Sequence, residues 1–327
     1  MIARRRFLAL AVATVAAHRL ATAQTRGKVW RLGYLALAPL TDPPSPERSA
    51  FVAALREAGY AAGDNLVVEY RSAESDRERL PFLADELVKA KVDVIVVPSV
   101  DPARAALDAT NSVPIVMLGV ADPVVFGLVA NLARPGANLT GSSWRSVDII
   151  GKRFQLLREV LPRARRVAHL WNPDTMAAAV LPAVQDAARR NGFALEEVSI
   201  TNVGDLQRGL EAVERRRPDA LHVTLDVRLA AYRQLIAQAA LDWRVPSVAN
   251  YKGFVDAGGL MSYAADLAAL YRRGAAYVDR ILRGAHPADL PIEQPDKFVL
   301  ALNLGTARAI GLAIPRSVLL RADEVVR

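Results

Sequence analysis

The sequence Val-Asp-Val-Ile-Val-Val at residues 92–97 is the strongest indication of the fold, because a segment with the same pattern recurs later in the chain. It follows a Gly-Tyr pair and an apolar segment, and Val-Pro-Ile-Val comes after it at residues 113–116. Pro-Asp-Ala-Leu-His-Val at residues 218–223 stands in the same context, after Gly-Phe and before Val-Pro-Ser-Val at residues 245–248. The equivalent segments keep nearly the same spacing through a whole βαβαβ unit. We therefore predict two similar lobes with a cleft between them, and such a cleft is where a small ligand binds.

The apolar segments of both copies alternate with amphipathic helical segments. Near-continuous apolar strands between helices specify a parallel sheet that is covered on both faces. The fold class that follows is α/β, with two doubly wound parallel-sheet lobes joined by a hinge of three crossovers. We place the N-terminal lobe at residues 28–140 plus 258–286 and the C-terminal lobe at residues 141–257 plus 287–327.

Three breaks in this pattern give the predicted crossings between the lobes. Residues 134–141 interrupt the alternation and are interpreted as the first crossover. A strand at residues 260–263 and a helix at residues 266–282 are interpreted as the chain returning to the first lobe. Prolines at residues 287, 291 and 295 then mark the third crossing.

The N-terminal residues form a segment of a different kind. Three arginines at residues 4–6 precede an apolar run at residues 7–17, and Ala-Thr-Ala at residues 21–23 supplies small side chains before a cleavage point. This pattern is typical of a secretory signal peptide, so we predict residues 1–23 to be removed by cleavage between Ala23 and Gln24, and the mature protein to be periplasmic. The apolar run is shorter than the roughly 20 residues that span a bilayer. The arginines also fit a twin-arginine signal, so both export routes stay open.

Charge and cysteine content exclude several classes of protein. The formal net charge is +8, but four of the basic residues lie in the predicted signal peptide, which halves the excess. Arginine clusters at residues 163–166 and 215–217 lie near the predicted C-terminal ends of helices, where the helix dipole favours cations. We therefore expect no nucleic-acid partner. The absence of cysteine excludes lipid attachment through a cysteine, disulfides and thiolate chemistry.

Motifs of catalysis and metal binding are missing from the sequence. It holds no P-loop, nucleophile elbow or dinucleotide fingerprint in the required context. The four histidines are dispersed, and His169 and His222 lie within apolar strands, where we expect core histidines rather than ligands. We therefore predict a protein that is not an enzyme and that uses no cofactor and no metal.

Polar and aromatic residues follow the predicted strands of both lobes. Ligands of doubly wound sheets bind at the carboxyl ends of strands, so these positions are the candidates for a ligand site. Asp226 is the favoured one, because its carboxylate can receive a ligand ammonium group. Asp101 is explained equally well as a helix N-cap and as a ligand contact, and Asp122 equally well as a helix start and as a ligand contact. The aromatic candidates either stack on a ligand or pack in the core. The predicted ligand-binding residues are Tyr34, Ala38, Ser99, Asp101, Asp122, Asn172, Asp226 and Tyr251.

Several longer segments resemble one known family. They are residues 51–60, 63–71, the Asp-Pro pair at 122–123 with Gly-Leu-Val at 127–129, Asn-Leu-Thr-Gly at 138–141, Gly-Gly-Leu-Met-Ser-Tyr at 258–263, and the tail at 288–298 and 319–324. Together they resemble the ABC-transporter substrate-binding proteins of the tryptophan/tyrosine-binding type, over essentially all of the mature chain. The resemblance implies a type I periplasmic-binding-protein fold that closes on a ligand by a hinge movement. It also implies an ABC permease in the inner membrane as partner, and we expect a monomer.

The resemblance also bears on the ligand. Asp226 matches an acidic position that can meet the ligand's amino group in amino-acid-binding members. At residues 99–102 this chain departs from those members, which carry small hydroxyl residues there, since only Ser99 keeps a hydroxyl and Asp101 would repel a carboxylate. We therefore expect a small organic ligand, either amino-acid-like or aromatic with a carboxylate.

Three other functions use related folds. A periplasmic sensor that docks on a membrane signalling receptor stays open as the alternative. A transcription regulator would need a DNA-binding segment before residue 30, where the predicted signal peptide stands. An exported α/β enzyme would have to turn over a substrate, and the sequence holds none of the catalytic motifs named above.

Overall fold

The structure is a computed structural model that describes residues 28–144, 147–295 and 297–327. The predicted signal peptide at residues 1–23 lies outside the described residues. Within them the chain forms two parallel-sheet lobes.

The first lobe contains a five-stranded parallel sheet in the order β2-β1-β3-β4-β5. Its central strand β3 and most of β4 are apolar and buried on both faces, as helices on both sides of a parallel sheet require. The strands are β1 (Trp30–Ala36), β2 (Leu66–Ser72), β3 (Val94–Val97), β4 (Ile115–Ala121) and β5 (Leu139–Trp144).

Two layers of helices cover this sheet. The serine at residue 45 caps α1 by accepting a hydrogen bond from a backbone N–H of its first turn, and Phe51 and Leu55 turn into the core. The helices are α1 (Pro46–Glu57), α2 (Leu80–Lys89) and α3 (Val100–Ala109), with a 3₁₀ turn at Arg77–Arg79 before α2.

The second lobe contains a seven-stranded sheet in the order β12-β11-β10-β9-β8-β6-β7. Its strands are β6 (Arg166–Trp171), β7 (Ala194–Ser199), β8 (Ala220–Val223), β9 (Ser247–Ala249), β10 (Met261–Ala265), β11 (Phe298–Asn303) and β12 (Glu324–Val326). Its helices are α4 (Ile150–Val160), α5 (Pro173–Arg190), α6 (Val203–Arg216), α7 (Val227–Ala231), α8 (Arg233–Asp242), α9 (Gly253–Asp256), α11 (Leu304–Ala309) and α12 (Arg316–Leu319). The long helix between them in sequence, α10 (Leu267–Leu282), packs on the first lobe against α1 and β4.

The placement of the strand at residues 260–263 in the first lobe was wrong. This segment is part of β10, which pairs in parallel with β9 and antiparallel with β11, so it extends the second sheet. Only the helix that follows crosses to the first lobe, and the crossing falls at Asp266, whose side chain caps α10. A buried apolar strand is stabilised most where its backbone N–H and C=O groups hydrogen-bond to the edge of an existing sheet. The sequence alone does not say which of the two sheets that is.

The first crossover also lies later than residues 134–141. Residues 139–144 form β5, which pairs with β4 and is almost completely buried. Gly141 makes this pairing possible, because its φ is +123° and an added Cβ would lie 2.5 Å from the carbonyl oxygen of Met117. The crossing therefore follows Trp144 and precedes α4.

The third crossing lies later than the predicted boundary at residue 287, because Leu290 and Ile292 still hydrogen-bond with residues of the first lobe. Glu293 still hydrogen-bonds with Gly141 and Ser143 of β5, whereas β11 belongs to the second sheet. The chain thus crosses between Glu293 and Phe298, around Pro295. Glu293 is thus hydrogen-bonded to β5, the strand that precedes the first crossing. The segments that lead into the first and third crossings are therefore joined at this point.

Candidate functional site

The carboxyl ends of the parallel strands of both lobes approach each other. Arg77 of the first lobe donates a hydrogen bond to the backbone carbonyl of Asp174 in the second, at 3.1 Å. Tyr251 of the second lobe donates its hydroxyl to Glu47 of the first, at 3.0 Å. Both contacts join segments that follow strand ends, and we call the region between them the cleft. This is where doubly wound sheets bind ligands.

Asn172 and Asp226 meet on the second-lobe side of the cleft. Asn172 follows β6, is 2% exposed and donates its side-chain N–H to the Asp226 carboxylate at 2.9 Å. Its amide oxygen accepts from the backbone N–H of Asp174 at 3.0 Å and so caps α5. The other Asp226 oxygen caps α7 by accepting from Leu229 N–H at 2.7 Å. The structure therefore brings these two predicted residues together, on neighbouring strands.

Asn250 fixes the loop that carries Asp226. Its side chain accepts from the backbone N–H of Leu225 at 2.7 Å and donates to the carbonyl of the same residue at 3.1 Å. This buried double hydrogen bond holds the residue before Asp226 in place. Asn250 was not among the predicted site residues, although its position directly after β9 was the signal that could have identified it.

Tyr251 lies at the edge of the cleft as predicted, but it contacts a carboxylate of the other lobe. Burial is the main cause that raises its pKa well above the ordinary value of tyrosine, and the negative charge of Glu47 adds to it. The hydroxyl is therefore protonated at neutral pH and donates to Glu47. Glu47 itself lies in the first turn of α1, where the helix dipole favours an acidic side chain.

Asp101 forms an ion pair instead of capping a helix. Its carboxylate lies in the first turn of α3 and accepts from the guanidinium of Arg77, the residue that also reaches the second lobe. Asp174 is in turn 3.7 Å from Arg228, so charged groups line the cleft edge from one lobe to the other. Arg77 offsets the repulsion that Asp101 would exert on a ligand carboxylate, and nothing in the sequence near Asp101 indicates this partner.

Ser99 stands at the N-terminus of α3. Its hydroxyl oxygen is buried and, among the described residues, has no hydrogen-bond partner. The N–H groups of a first helical turn lack intrahelical acceptors, so this end of α3 offers donors for a polar ligand group.

The other predicted residues lie in the first lobe: Tyr34 is in β1, Ala38 follows β1 and Asp122 follows β4. Tyr34 is 4% exposed and packs in the core against Phe51 and Tyr70, with ring centroids 6.4 and 5.5 Å away, and burial raises its pKa to about 12. Ala38 lies beyond β1, with its carbonyl accepting the hydroxyl of Ser72 at 3.0 Å.

Asp122 follows β4 beside the first crossover. It has a φ of 34°, donates its N–H to the carbonyl of Trp144 at 3.0 Å, and accepts from Phe126 N–H through its own carbonyl. Its backbone therefore anchors the turn next to the hinge.

His169 and His222 are core histidines, as expected, with exposures of 1% and 0%. Among the described residues, no group of three or more His, Asp or Glu is arranged to hold a metal ion. In the same part of the chain, none of the helices is both long and apolar enough to cross a membrane.

Comparison with known proteins gives one family. The family model described as "ABC transporter substrate binding protein" matches residues 42–326. A curated protein named "Tyrosine-binding protein", from Clostridioides difficile (strain R20291), is 26% identical over 282 residues, which cover 85% of this chain and 81% of that protein. These relatives are described as binding proteins and not as enzymes.

Solved structures agree with this result. A conserved domain protein from Vibrio cholerae O1 biovar El Tor superposes with a TM-score of 0.84 at 26% identity, covering 91% of this chain and 100% of that chain. The ABC domain of Streptococcus pneumoniae in complex with L-Trp gives a TM-score of 0.81 at 21% identity, covering 91% and 99%, and at this identity it shows the fold alone. A leucine binding protein from Thermotoga maritima, with a TM-score of 0.60 at 13% identity, covers 80% of this chain and 85% of its own and has the type I periplasmic binding fold. The predicted fold class is confirmed.

Proposed function

The chain belongs to the family of ABC transporter substrate binding proteins, and from this premise we propose that it captures a small organic ligand between its lobes and delivers it to an ABC permease of an importer. The observation that carries the proposal is the pair of contacts across the cleft, from Arg77 to Asp174 and from Tyr251 to Glu47. These contacts must separate for a ligand to enter. Capture then stabilises the closed arrangement through contacts to both lobes, without chemistry.

The second-lobe wall supports an amino-acid-like or aromatic carboxylate ligand. Asp226 is held by Asn172 and by the turn that Asn250 fixes, so its carboxylate has a fixed position in the cleft wall, where a ligand ammonium group can contact it. The curated relative is named for binding tyrosine, and the pneumococcal domain was solved with L-Trp. Ser99 and the first turn of α3 supply donors from the first lobe.

We place the mature protein in the periplasm as a monomer. The arginine-rich N-terminal segment with its apolar run and Ala-Thr-Ala supports export. The family description refers to transport, and no relative supports the alternative of a sensor that docks on a signalling receptor.

A ligand screen tests the proposed function. Residues 24–327 would be unfolded thermally in the presence of L-tyrosine, L-tryptophan, L-phenylalanine, L-leucine and benzoate. A true ligand at 100 times its Kd adds about 2.7 kcal/mol to the free energy of unfolding. Asp226→Asn should abolish the stabilisation by amino acids, whereas Asp242→Asn, which removes an exposed carboxylate of the same lobe, should leave it intact.

The contrary result is a protein that no compound stabilises and that carries no small molecule in native mass spectrometry. Equal stabilisation of wild type and Asp226→Asn would keep the binding function and reject Asp226 as a ligand contact.

A further inference from the structure

A basic edge lies at the end of the second lobe that is opposite the cleft. The arginine clusters at residues 163–166 and 215–217 are far apart in sequence, but they lead into β6 and β8, which are neighbouring strands of one parallel sheet. A third pair of arginines, at residues 189–190, ends α5 just before β7, the other neighbour of β6. All three segments therefore meet at the amino ends of the same strands, and their arginines are exposed. We call these arginines the basic edge.

Hydrogen bonds hold the segments of the edge together. Arg166 donates to the backbone carbonyl of Arg216 at the end of α6. Arg158, in the last turn of α4, donates to the carbonyl of Ala164 at 2.7 Å and to that of Gly192 at 3.1 Å. It thus joins the segment before β6 to the segment that follows α5. The basic edge is therefore one fixed surface of the folded lobe.

The basic edge carries an excess of positive charge. Four of its arginines form ion pairs at the surface, where such pairs hold a side chain only weakly. Asp186 serves two of them. The arginines are in the majority even when every acidic side chain of these segments and of β7 is counted; the acidic residues are Asp186, Glu196, Glu197, Glu211, Glu214 and Asp219.

The other four arginines of the edge have no partner in the part of the chain that the structure describes. The carbonyl groups at the ends of α4 and α6 already accept from Arg158 and Arg166. The helix dipole favours cations at such ends, but it does not require side chains that contact nothing. Within residues 28–144, 147–295 and 297–327, no ion pair and no hydrogen bond is formed by the side chains of Arg163, Arg165, Arg216 and Arg217. Their guanidinium groups are therefore available to an anion.

The surroundings of these four arginines favour a broad anionic surface over a small molecule or a protein. Two surface grooves of about 700 Å³ are lined by residues of the first lobe and of the segment before the third crossing, and not by the edge. Protein interfaces are anchored by aromatic and apolar side chains. Among the described residues, none of the large apolar side chains that are well exposed belongs to the segments of the edge. Guanidinium groups instead fit phosphate oxygens, with two N–H donors to one phosphate.

We propose that the basic edge docks the protein on an anionic phospholipid surface, with the four unpaired guanidinium groups contacting headgroup phosphates. Clusters of basic side chains are attracted to anionic lipids, and each side chain close to the surface strengthens binding roughly five-fold. The inference goes beyond the proposed function and uses it only for the location beside the inner membrane.

This orientation leaves the cleft accessible. Asn172 and Asp226 follow the carboxyl ends of β6 and β8, whereas the basic edge lies at the amino ends of the same strands. A protein held by the edge therefore has its cleft directed away from the lipid surface, and its ligand affinity should not change on docking.

Vesicle sedimentation tests the surface. Residues 24–327 would be mixed with vesicles of phosphatidylcholine alone and with vesicles that contain about 30% phosphatidylglycerol. At about 0.1 M salt we expect at least about 10-fold stronger binding to the anionic vesicles. At about 1 M salt the Debye length falls to about 3 Å, and this preference should be lost.

Two variants with the same change in net charge locate the contact. Replacing the four unpaired arginines together, by Arg163→Gln, Arg165→Gln, Arg216→Gln and Arg217→Gln, should weaken binding to the anionic vesicles on the order of 100-fold. The control replaces four exposed basic side chains of the first lobe and should keep most of the binding; its changes are Arg56→Gln, Lys89→Gln, Arg134→Gln and Arg280→Gln. Both variants should unfold at the wild-type temperature and bind ligand as wild type does, so a failure of the proposed function leaves this test intact.

A fluorescent label gives the orientation. Because the sequence contains no cysteine, one introduced cysteine can carry an environment-sensitive dye. A dye on Arg189→Cys, at the edge, should shift its emission to shorter wavelength with anionic vesicles, whereas a dye on Arg56→Cys, in the first lobe, should not.

Three results would overturn the proposal. They are equal binding to both kinds of vesicle, an equal loss in both fourfold variants, and a dye shift at both positions. Displacement from the vesicles by inorganic pyrophosphate would assign the four arginines to a soluble phosphate compound and would likewise reject docking on lipid.

Discussion

The two lobes have the same kind of sheet, but the polar groups at their strand ends find their partners in different places. In the second lobe Asp226 is held by Asn172 and the Asn250 turn, all within the lobe. In the first lobe the charged groups are Arg77 and Glu47, and each has a partner across the cleft. The second lobe therefore provides a pre-organised wall, whereas the first lobe provides the contacts that close on it. Three predictions test this difference between the lobes.

The largest expected effect is acid sensitivity of the second lobe. The pKa of His169 lies near 3 in the folded protein, chiefly through burial, and that of His222 is also lowered, whereas unfolded histidine titrates near 6.5. The unfolded chain therefore binds more protons below pH 6.5, and stability falls as the pH decreases from 6.5 towards 3. At pH 5 we expect a loss of about 2 kcal/mol from His169 and a further loss from His222.

Urea unfolding at pH 7 and pH 5 measures this loss. His169→Phe should remove the part of the stability difference between pH 7 and pH 5 that comes from this ring. His286→Gln, at an exposed position, should leave the difference unchanged. The first lobe's strands and α1 to α3 contain no histidine, so the sensitivity belongs to the second lobe. Equal stability at the two pH values would show that the buried rings are not neutral in the folded state.

The next effect compares one polar side chain from each lobe. Asn250→Ala leaves the N–H and carbonyl of Leu225 without their partner and should cost about 2 kcal/mol. Ser99→Ala removes a buried hydroxyl that has no partner among the described residues, so it should cost nothing or stabilise slightly. Chemical denaturation of both variants gives the comparison, and similar losses would contradict the idea that only the second-lobe wall is pre-organised.

The smallest effect concerns closure. Arg77→Ala removes the bridge between Asp101 and Asp174, and because Arg77 is partly exposed it should cost only about 0.2–1 kcal/mol of stability. Small-angle scattering should nevertheless show a larger radius of gyration without ligand. Arg79→Ala, in the same turn but with its hydrogen bond to Ala73 in its own lobe, is the control. An unchanged radius for Arg77→Ala would remove this bridge from the closing contacts.

Much of the fold could be predicted because its signals are local. Each apolar run, such as the one before Asp226, has the length of a buried strand and is followed by a helix start, and the carboxyl ends of parallel strands meet at one edge. This reasoning placed Asn172 and Asp226 at strand ends of the same sheet, and the structure adds that they touch. The same reasoning left open whether Tyr34 stacks on a ligand or packs in the core, because a strand residue near a cleft and one in the core have the same apolar context, and the side that α1 covers is known only after folding.

Two α/β lobes, buried histidines in apolar strands and polar residues at strand ends follow from the sequence alone, since these depend on periodicity and on neighbours in the chain. The pairing of β10 within the second sheet and the position of Arg153 beside His222 depend on the tertiary structure. So do the contacts of Tyr251 with Glu47, 204 residues away, and of Arg77 with Asp174, 97 residues away. Such partners are set by the packing of whole elements, so no local pattern identifies them.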